Sequence, residues 1–396
     1  MLSTRQLFLL NTAQTSSFPR MLEVERAEGM FLYDPRGKKY MDLVSGFAVS
    51  NTGHRHPEVI KAIKDQADKF LHLTVYGEFI QLPQVKFAQR LVSVLPQSLN
   101  SVYFVNSGAE ATEGAMKLAK RFTGRGEIIA CRNSYHGSTQ GALSLMGNEY
   151  YKQAYRPLLP GIRFIKFNSL AHLEQISSRT AAVIIETIQG EAGIRVPDKE
   201  YIQQLRARCN ETGALLIMDE IQTGFGRTGK MFGFEHFGII PDIILLAKSM
   251  GGGMPIGAFI ADTGLMGVLK ENPILGHITT FGGHPVSCAA GLANLELIIR
   301  ERLADTVSEK EALFREELNH PLIREVRGKG LMLSVQLDTF EQVENVSRRC
   351  LENGLIVDWF LHCDNALRIA PPLIISKEEI REACRIIVEA ISHFSS

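Results

Sequence analysis

The chain lacks net charge: its 43 lysines and arginines balance 43 aspartates and glutamates. That balance gives no support to nucleic acid or an anionic membrane as a partner. It also lacks any apolar run near the ~18–20 residues a membrane helix needs. At the start, Leu7-Phe8-Leu9-Leu10 turns polar at Asn11, short of the roughly 7–15 apolar residues of a signal-peptide core. Paired cysteines are missing: Cys131, Cys209, Cys288, Cys350, Cys363 and Cys384 are scattered, with no CxxC. In a chain of 396 residues this reads as reduced thiols in the cytoplasm rather than a disulfide framework. Repeats, low-complexity tracts and obvious linkers are absent too.

What is there is an ordinary globular composition, 45% hydrophobic, in a chain longer than one core usually serves, so two domains are expected. Short apolar runs alternate with helical patterns. Val102–Val105, Ala182–Ile185, Leu215–Met218 and Ile243–Leu246 read as strands buried on both faces of a parallel sheet. Ala111, Ala115, Leu118 and Phe122 make one stripe of a helix, and Tyr201, Leu205 and Cys209 repeat at four. The stretch Ala290 to Glu317 reads as one long amphipathic helix. After it come a strand at Leu331–Val335, a helix near 340–353, a strand near 355–357 and a closing helix near 377–394. The first fifty residues read as short strands and turns. The expected layout is a large α/β domain over 55–290. A smaller α+β domain would be built from 291–396 with 1–54 added.

In open parallel sheets ligands bind at the carboxyl ends of the strands, and four polar clusters sit at such places. Asn106-Ser107-Gly108-Ala109-Glu110 lies between a strand and a helix, where free N–H groups suit an anion. Ser107 and Glu110 also have the spacing of a capping box, and the two roles are compatible. Asp219 ends an apolar strand and needs a partner once desolvated. That partner is either a cap or ion pair, or the ring nitrogen of a heteroaromatic cofactor, which the acid would keep protonated. Lys248 follows another apolar strand and precedes Gly251-Gly252-Gly253. Desolvation would lower its pKa and suit Schiff-base chemistry. Thr279-Thr280-Phe281-Gly282-Gly283 could contact phosphate, although such turns are common.

Two motifs point elsewhere. Gly224-Phe225-Gly226-Arg227-Thr228-Gly229 matches GxGxxG but starts five residues beyond its strand, and Lys230–Gly238, with three phenylalanines and two glycines, is a poor helix. No acid follows at the ~20-residue distance a ribose contact wants. His54-Arg55-His56 resembles a metal pair without further ligands at zinc spacing, so no metal is expected.

Taken together, these segments resemble the class III (ω-amino) aminotransferases, a branch of the fold-type I enzymes of pyridoxal 5'-phosphate (PLP). The likeness runs from Gly29–Tyr40 and Gly53–Pro57 through Asn106–Ala111, Tyr135-His136-Gly137, Gln189-Gly190-Glu191, Asp219–Gly229 and Lys248–Gly257. It ends with Thr280–Gly283, Arg327–Gly330 and Arg368–Pro372. The acetylornithine/ornithine aminotransferase group is closest in look. The resemblance implies a mostly parallel seven-stranded sheet covered by helices, beside a smaller domain.

It also implies roles. Lys248 would hold PLP covalently and shuttle a proton, and Asp219 would pair with the ring nitrogen. Gln222 would touch the ring hydroxyl and Tyr135 would stack on the ring, with His136 and Glu186 close by. Ser107, Gly108 and Ala109 would bind the phosphate, joined by Thr280 from the other subunit of a homodimer. Arg368 would grip a substrate carboxylate, and Glu191 would pair with Arg368 when none is present. The reaction implied is ping-pong transfer of an ω-amino group to 2-oxoglutarate. Ser138 stands where the group usually has a carboxylate-binding arginine. Phe47 stands where the ornithine enzymes have a tyrosine, Thr187 where proline is usual, and His284 where asparagine is common. Loss of charge-assisted bonds, roughly 1.5–3 kcal/mol each, would weaken ornithine-type binding. Lysine, 4-aminobutyrate or a diamine are the alternative donors, and an aminomutase, racemase or decarboxylase on the same fold the alternative chemistry.

Overall fold

The computed structural model describes residues 2–393. Its main sheet has seven strands: β1 (Ser101–Val105), β2 (Glu127–Cys131), β3 (Ile162–Ile165), β4 (Thr180–Glu186), β5 (Leu215–Asp219), β6 (Ile243–Leu246) and β7 (Gly257–Ala261). Their order is β1-β7-β6-β5-β4-β2-β3. Strand β7 runs antiparallel to both neighbours, and the remaining pairs are parallel. This is the mostly parallel, seven-stranded sheet that the resemblance implies. Alternate residues of the apolar runs serve opposite faces: Val183, Leu216 and Ile244 pack on one side, and Ile184, Ile217 and Leu245 on the other. Two covered faces explain why these strands are apolar throughout. Strands β2, β3 and β7 escape the sequence reading; β7 opens on a glycine and holds two alanines.

The helix Gly108–Thr123 buries Ala111, Ala115 and Leu118 as the spacing predicts. Phe122 departs from that stripe: it lies in the last turn, beside the left-handed cap Gly124, and is 49% exposed. Helix Lys199–Thr212 buries Tyr201, Leu205 and Cys209. The single long helix expected from Ala290 to Glu317 is in fact broken. Helix Pro285–Arg300 stops, Arg302 takes a left-handed φ of 51°, and a 3-10 turn leads into helix Val307–Glu317. A left-handed residue reverses the local path, which side-chain periodicity does not report. Helix Pro285–Arg300, which a boundary at 290 would divide, packs as one unit on helices Pro57–Ala67 and Leu82–Val92.

The smaller domain is an antiparallel sheet of β8 (Glu325–Lys329), β9 (Met332–Gln336), β10 (Asp358–Phe360) and β11 (Cys363–Ile369), in the order β8-β9-β11-β10. Val343 and Val346 of helix Phe340–Glu352, and Ile380 and Ile387 of helix Lys377–Ser392, share its core with Leu333 and Leu367. Near the N-terminus, a helix Thr4–Asn11 precedes the short strands. Strand Lys39–Asp42 pairs in parallel with Leu355–Ile356, which draws the first fifty residues to the smaller domain. No helix among the described residues is long and apolar enough to cross a membrane.

Candidate active site

Strands β4, β5 and β6 run side by side, so their carboxyl ends bring Glu186, Asp219 and Lys248 together. Asp219 ends β5 and is 5% exposed. Its Oδ2 meets Nδ1 of His136 at 2.7 Å, and its Oδ1 accepts the Ile221 N–H at 3.0 Å. Burial works against a charge on His136, but the hydrogen bond and charge of Asp219, with Glu186 behind, outweigh it and raise the imidazole pKa. The other imidazole nitrogen, Nε2, is buried without a partner. Glu186 ends β4 and accepts N–H bonds from Tyr135 at 3.1 Å and Gly190 at 2.7 Å. Burial pushes its carboxyl up to about 7, with His136 pulling down and Asp219 pushing up.

Lys248 opens a 3-10 turn just past β6, with a φ of 49°. A left-handed φ is strained for a residue with a side chain and is kept where the surroundings enforce it. Burial pushes its amine down to about 8; Glu191 pulls it back up and Arg368 pushes it further down.

Ser107 caps helix Gly108–Thr123 by accepting the Glu110 N–H at 3.2 Å. The reciprocal half of the expected capping box is absent. Glu110 instead accepts from the backbone N–H and side-chain amide of Asn106, at 2.6 and 2.9 Å. Gly257 makes room for this loop, since a Cβ there would lie 2.4 Å from the Ser107 carbonyl. A cavity of about 750 Å³ joins these groups, lined by Ser107, Gly108, Ala109, Tyr135, His136, Ser138, Glu186, Asp219, Gln222 and Lys248. Tyr135 Oη and Ser138 Oγ are 3.1 Å apart.

Arg368 and Glu191 lie beside that cavity rather than in its lining. Arg368 Nη2 donates to Glu191 at 2.6 Å, and the two side chains are 2% and 8% exposed. Leu361 N–H adds a bond to Glu191 at 3.1 Å, and Gln222 reaches toward it from the cavity wall at 3.5 Å. Burial alone would raise the Glu191 carboxyl, but Arg368 holds it below its ordinary value. Phe47 stands over Arg368. Thr280 is exposed and lines a separate cavity of about 370 Å³ with Asn106 and Glu110. Within one chain it is therefore not brought to the larger cavity.

Sequence reasoning missed two buried groups. Glu220 accepts from Thr187 and Thr223 hydroxyls at 2.7 and 2.5 Å and from Gly233 and Phe234 N–H at 2.8 and 2.7 Å. Thr187 thus has a function that proline could not perform. The position of Glu220 directly after Asp219 was the only signal for it. Arg227, within the GxGxxG loop, binds the carbonyls of Leu331 and Pro371 and the side chain of Asn51. Gly226 and Gly229 take φ near 90° around it, so this loop is a tie between domains. In the other motif, His54 bonds Asp42 at 2.9 Å and His56 caps helix Pro57–Ala67. His284 stacks on His72, centroids 5.6 Å apart.

A lysine and an aspartate at the ends of adjacent strands, with a helix N-terminus on the same cavity, define the PLP enzymes of fold-type I. The fit holds in detail: an acid for a ring nitrogen, an amine of lowered pKa, a buried imidazole nitrogen left free, and helix N–H groups for a phosphate. Residues 12–391 match the family described as Aminotransferase class-III, and the chain belongs to that family of PLP-dependent transaminases. It is 39% identical to the acetylornithine aminotransferase of Caldanaerobacter subterraneus subsp. tengcongensis, over 99% of each chain. It is 40% identical to the ornithine aminotransferase of Bacillus subtilis, over 95% of this chain and 93% of that one. A solved ornithine aminotransferase from Toxoplasma gondii, described with partial occupancy of PLP at its active site, superposes with a TM-score of 0.90. It shares 30% identity and covers 98% of this chain and 94% of its own.

Proposed function

We propose that this transaminase moves the terminal amino group of an acetylornithine- or ornithine-like donor to 2-oxoglutarate by a ping-pong route. The observation that carries this reading is the buried 2.6 Å pair of Glu191 and Arg368 beside the cavity that holds Lys248. Arg368 offers a planar fork to an α-carboxylate. With Glu191 in place, its charge is neutralised and the same space admits a carboxylate-free amine end. One site then serves both halves of the reaction. The names of the relatives support the donor class.

PLP, when bound, takes up an amino group and stores the electron pair freed at the neighbouring carbon. The residues that would hold it are Asp219 at the ring nitrogen, Gln222 at the ring hydroxyl and Tyr135 on the ring face. Ser107, Gly108 and Ala109 would hold the phosphate, with Thr280 supplied by the second subunit of a homodimer. His136 fixes the Asp219 carboxylate through its 2.7 Å bond. Glu186 anchors the Tyr135 backbone. Lys248, with its pKa near 8, can both accept and return a proton close to neutrality.

One observation favours a second donor class. Among the described residues Lys248 is the one lysine or arginine in the cavity lining, and Ser138 offers only a hydroxyl. A diamine or other donor without an α-carboxylate suits such a wall. The absorbance of the purified protein, recorded as amines are added singly, tests both readings. A cofactor band that shifts with one amine and returns with 2-oxoglutarate identifies the donor. A band unchanged in Lys248→Ala, or an amine shift that 2-oxoglutarate does not reverse, would sink the proposal.

A further inference from the structure

We infer that Phe47 and Phe360 clamp the guanidinium of Arg368 between two aromatic rings, and that Phe47 is a positioning residue for the incoming carboxylate. This rests on the reading of Arg368 as the carboxylate-binding residue. The Arg368 Cζ lies 4.4 Å from the Phe360 ring centroid and 5.0 Å from that of Phe47. Among the described residues Glu191 is its one ion-pair partner, and its Nε–H is buried without an acceptor. A substrate carboxylate must displace Glu191, and a buried charge that loses its partner is strongly destabilised. Ring faces attract a cation without occupying its N–H edges. The clamp therefore steadies the charge during the exchange and leaves the fork open. It also restricts the long side chain, so less freedom is lost when the carboxylate arrives.

The backbone that presents Phe47 supports this role. Ser45, Gly46, Phe47 and Ala48 all have left-handed φ, at 47°, 64°, 63° and 63°. L-residues visit this region singly as a rule, and such strain persists only where surrounding structure enforces it. Here the enforcement is visible. Asp42 accepts the N–H groups of Val44 and Ser45 at 2.8 and 2.9 Å, and His54 holds its other oxygen at 2.9 Å. Ser45 Oγ donates to the carbonyl of Ala370 at 2.6 Å, two residues beyond Arg368. The turn is thus bonded to the chain that carries the arginine. Phe47 remains 43% exposed, so core filling does not account for it.

The test uses PLP-loaded enzyme and glutarate, a dicarboxylate with no carbonyl to react, measured by calorimetry beside the KM and kcat for 2-oxoglutarate. Phe47→Leu should weaken glutarate binding and raise that KM about 5-fold, the size of a partly exposed cation–π contact, with kcat held. Phe47→Tyr, which keeps the ring, should bind glutarate like the parent. Unchanged glutarate binding in Phe47→Leu, a Tyr variant as weak as the Leu variant, or a fall in kcat without change in KM overturns the clamp. If Arg368→Gln binds glutarate as well as the parent does, the underlying reading of Arg368 fails and the clamp with it.

Discussion

Replacing Arg227 by methionine should destabilise the protein by about 3–5 kcal/mol. Arg227 is fully buried, at 0% exposure. Its guanidinium donates to the Leu331 carbonyl at 2.9 Å, to the Asn51 side chain at 2.5 Å and to the Pro371 carbonyl. Methionine matches the stem but leaves these three acceptors without a donor, each at about 1–3 kcal/mol. Against that loss, about 6 kcal/mol at the middle of the range, the desolvation of a guanidinium with no acid beside it among the described residues no longer has to be compensated, which returns roughly 1–3 kcal/mol. Urea unfolding of the cofactor-free chain measures the balance. With an m-value near 3 kcal/mol/M, the midpoint should fall by about 1–1.7 M. Arg302→Met is the control: its side chain is 80% exposed and among the described residues pairs only with Asp305, so its midpoint should barely move. A fall of less than about 0.3 M for Arg227→Met would refute the view that the GxGxxG loop ties the domains together.

Two further outcomes follow from the site. The folded Glu186 carboxyl sits near 7 rather than 4.5, so between those values the folded state keeps a proton that the unfolded chain has released. Stability from this group is therefore lost as pH rises through that window. In Glu186→Gln the melting temperature of the cofactor-free chain should fall less between pH 5 and 7.5, with a residual slope of the same sign from His136; an unchanged slope rejects the assignment. Ser138→Arg places a second cation in a wall where Lys248 is the one lysine or arginine among the described residues. It should raise kcat/KM for acetylornithine, relative to a diamine, by about 10- to 100-fold; an unmoved ratio would show that this wall does not meet the donor's carboxylate.

Much of the fold is legible because both-face burial leaves a local mark. Ala182–Ile185 and Ile243–Leu246 are apolar throughout, and strands β4 and β6 enclose them. The polar residues that end such runs, Asp219 and Lys248, stand out for the same reason. The reading falters where local pattern and path diverge. Arg302 turns the chain inside an unbroken helical pattern, and Phe122 continues a stripe into solvent. At Ser107 the spacing is right for a capping box, but Glu110 finds a nearer donor in Asn106.

By itself the sequence determined the family and the alternation of strands and helices, and it singled out Lys248 and Asp219 as the candidate amine and acid, since each is written in contiguous residues. The tertiary structure decided what those groups became. Asp219 meets His136 from 83 residues away, and Arg368 meets Glu191 from 177. The lowered Lys248, the raised Glu186 and the aromatic faces over Arg368 likewise arise between distant segments. Desolvation and Coulomb energy depend on distance and burial in three dimensions, and neither is a property of neighbours along the chain.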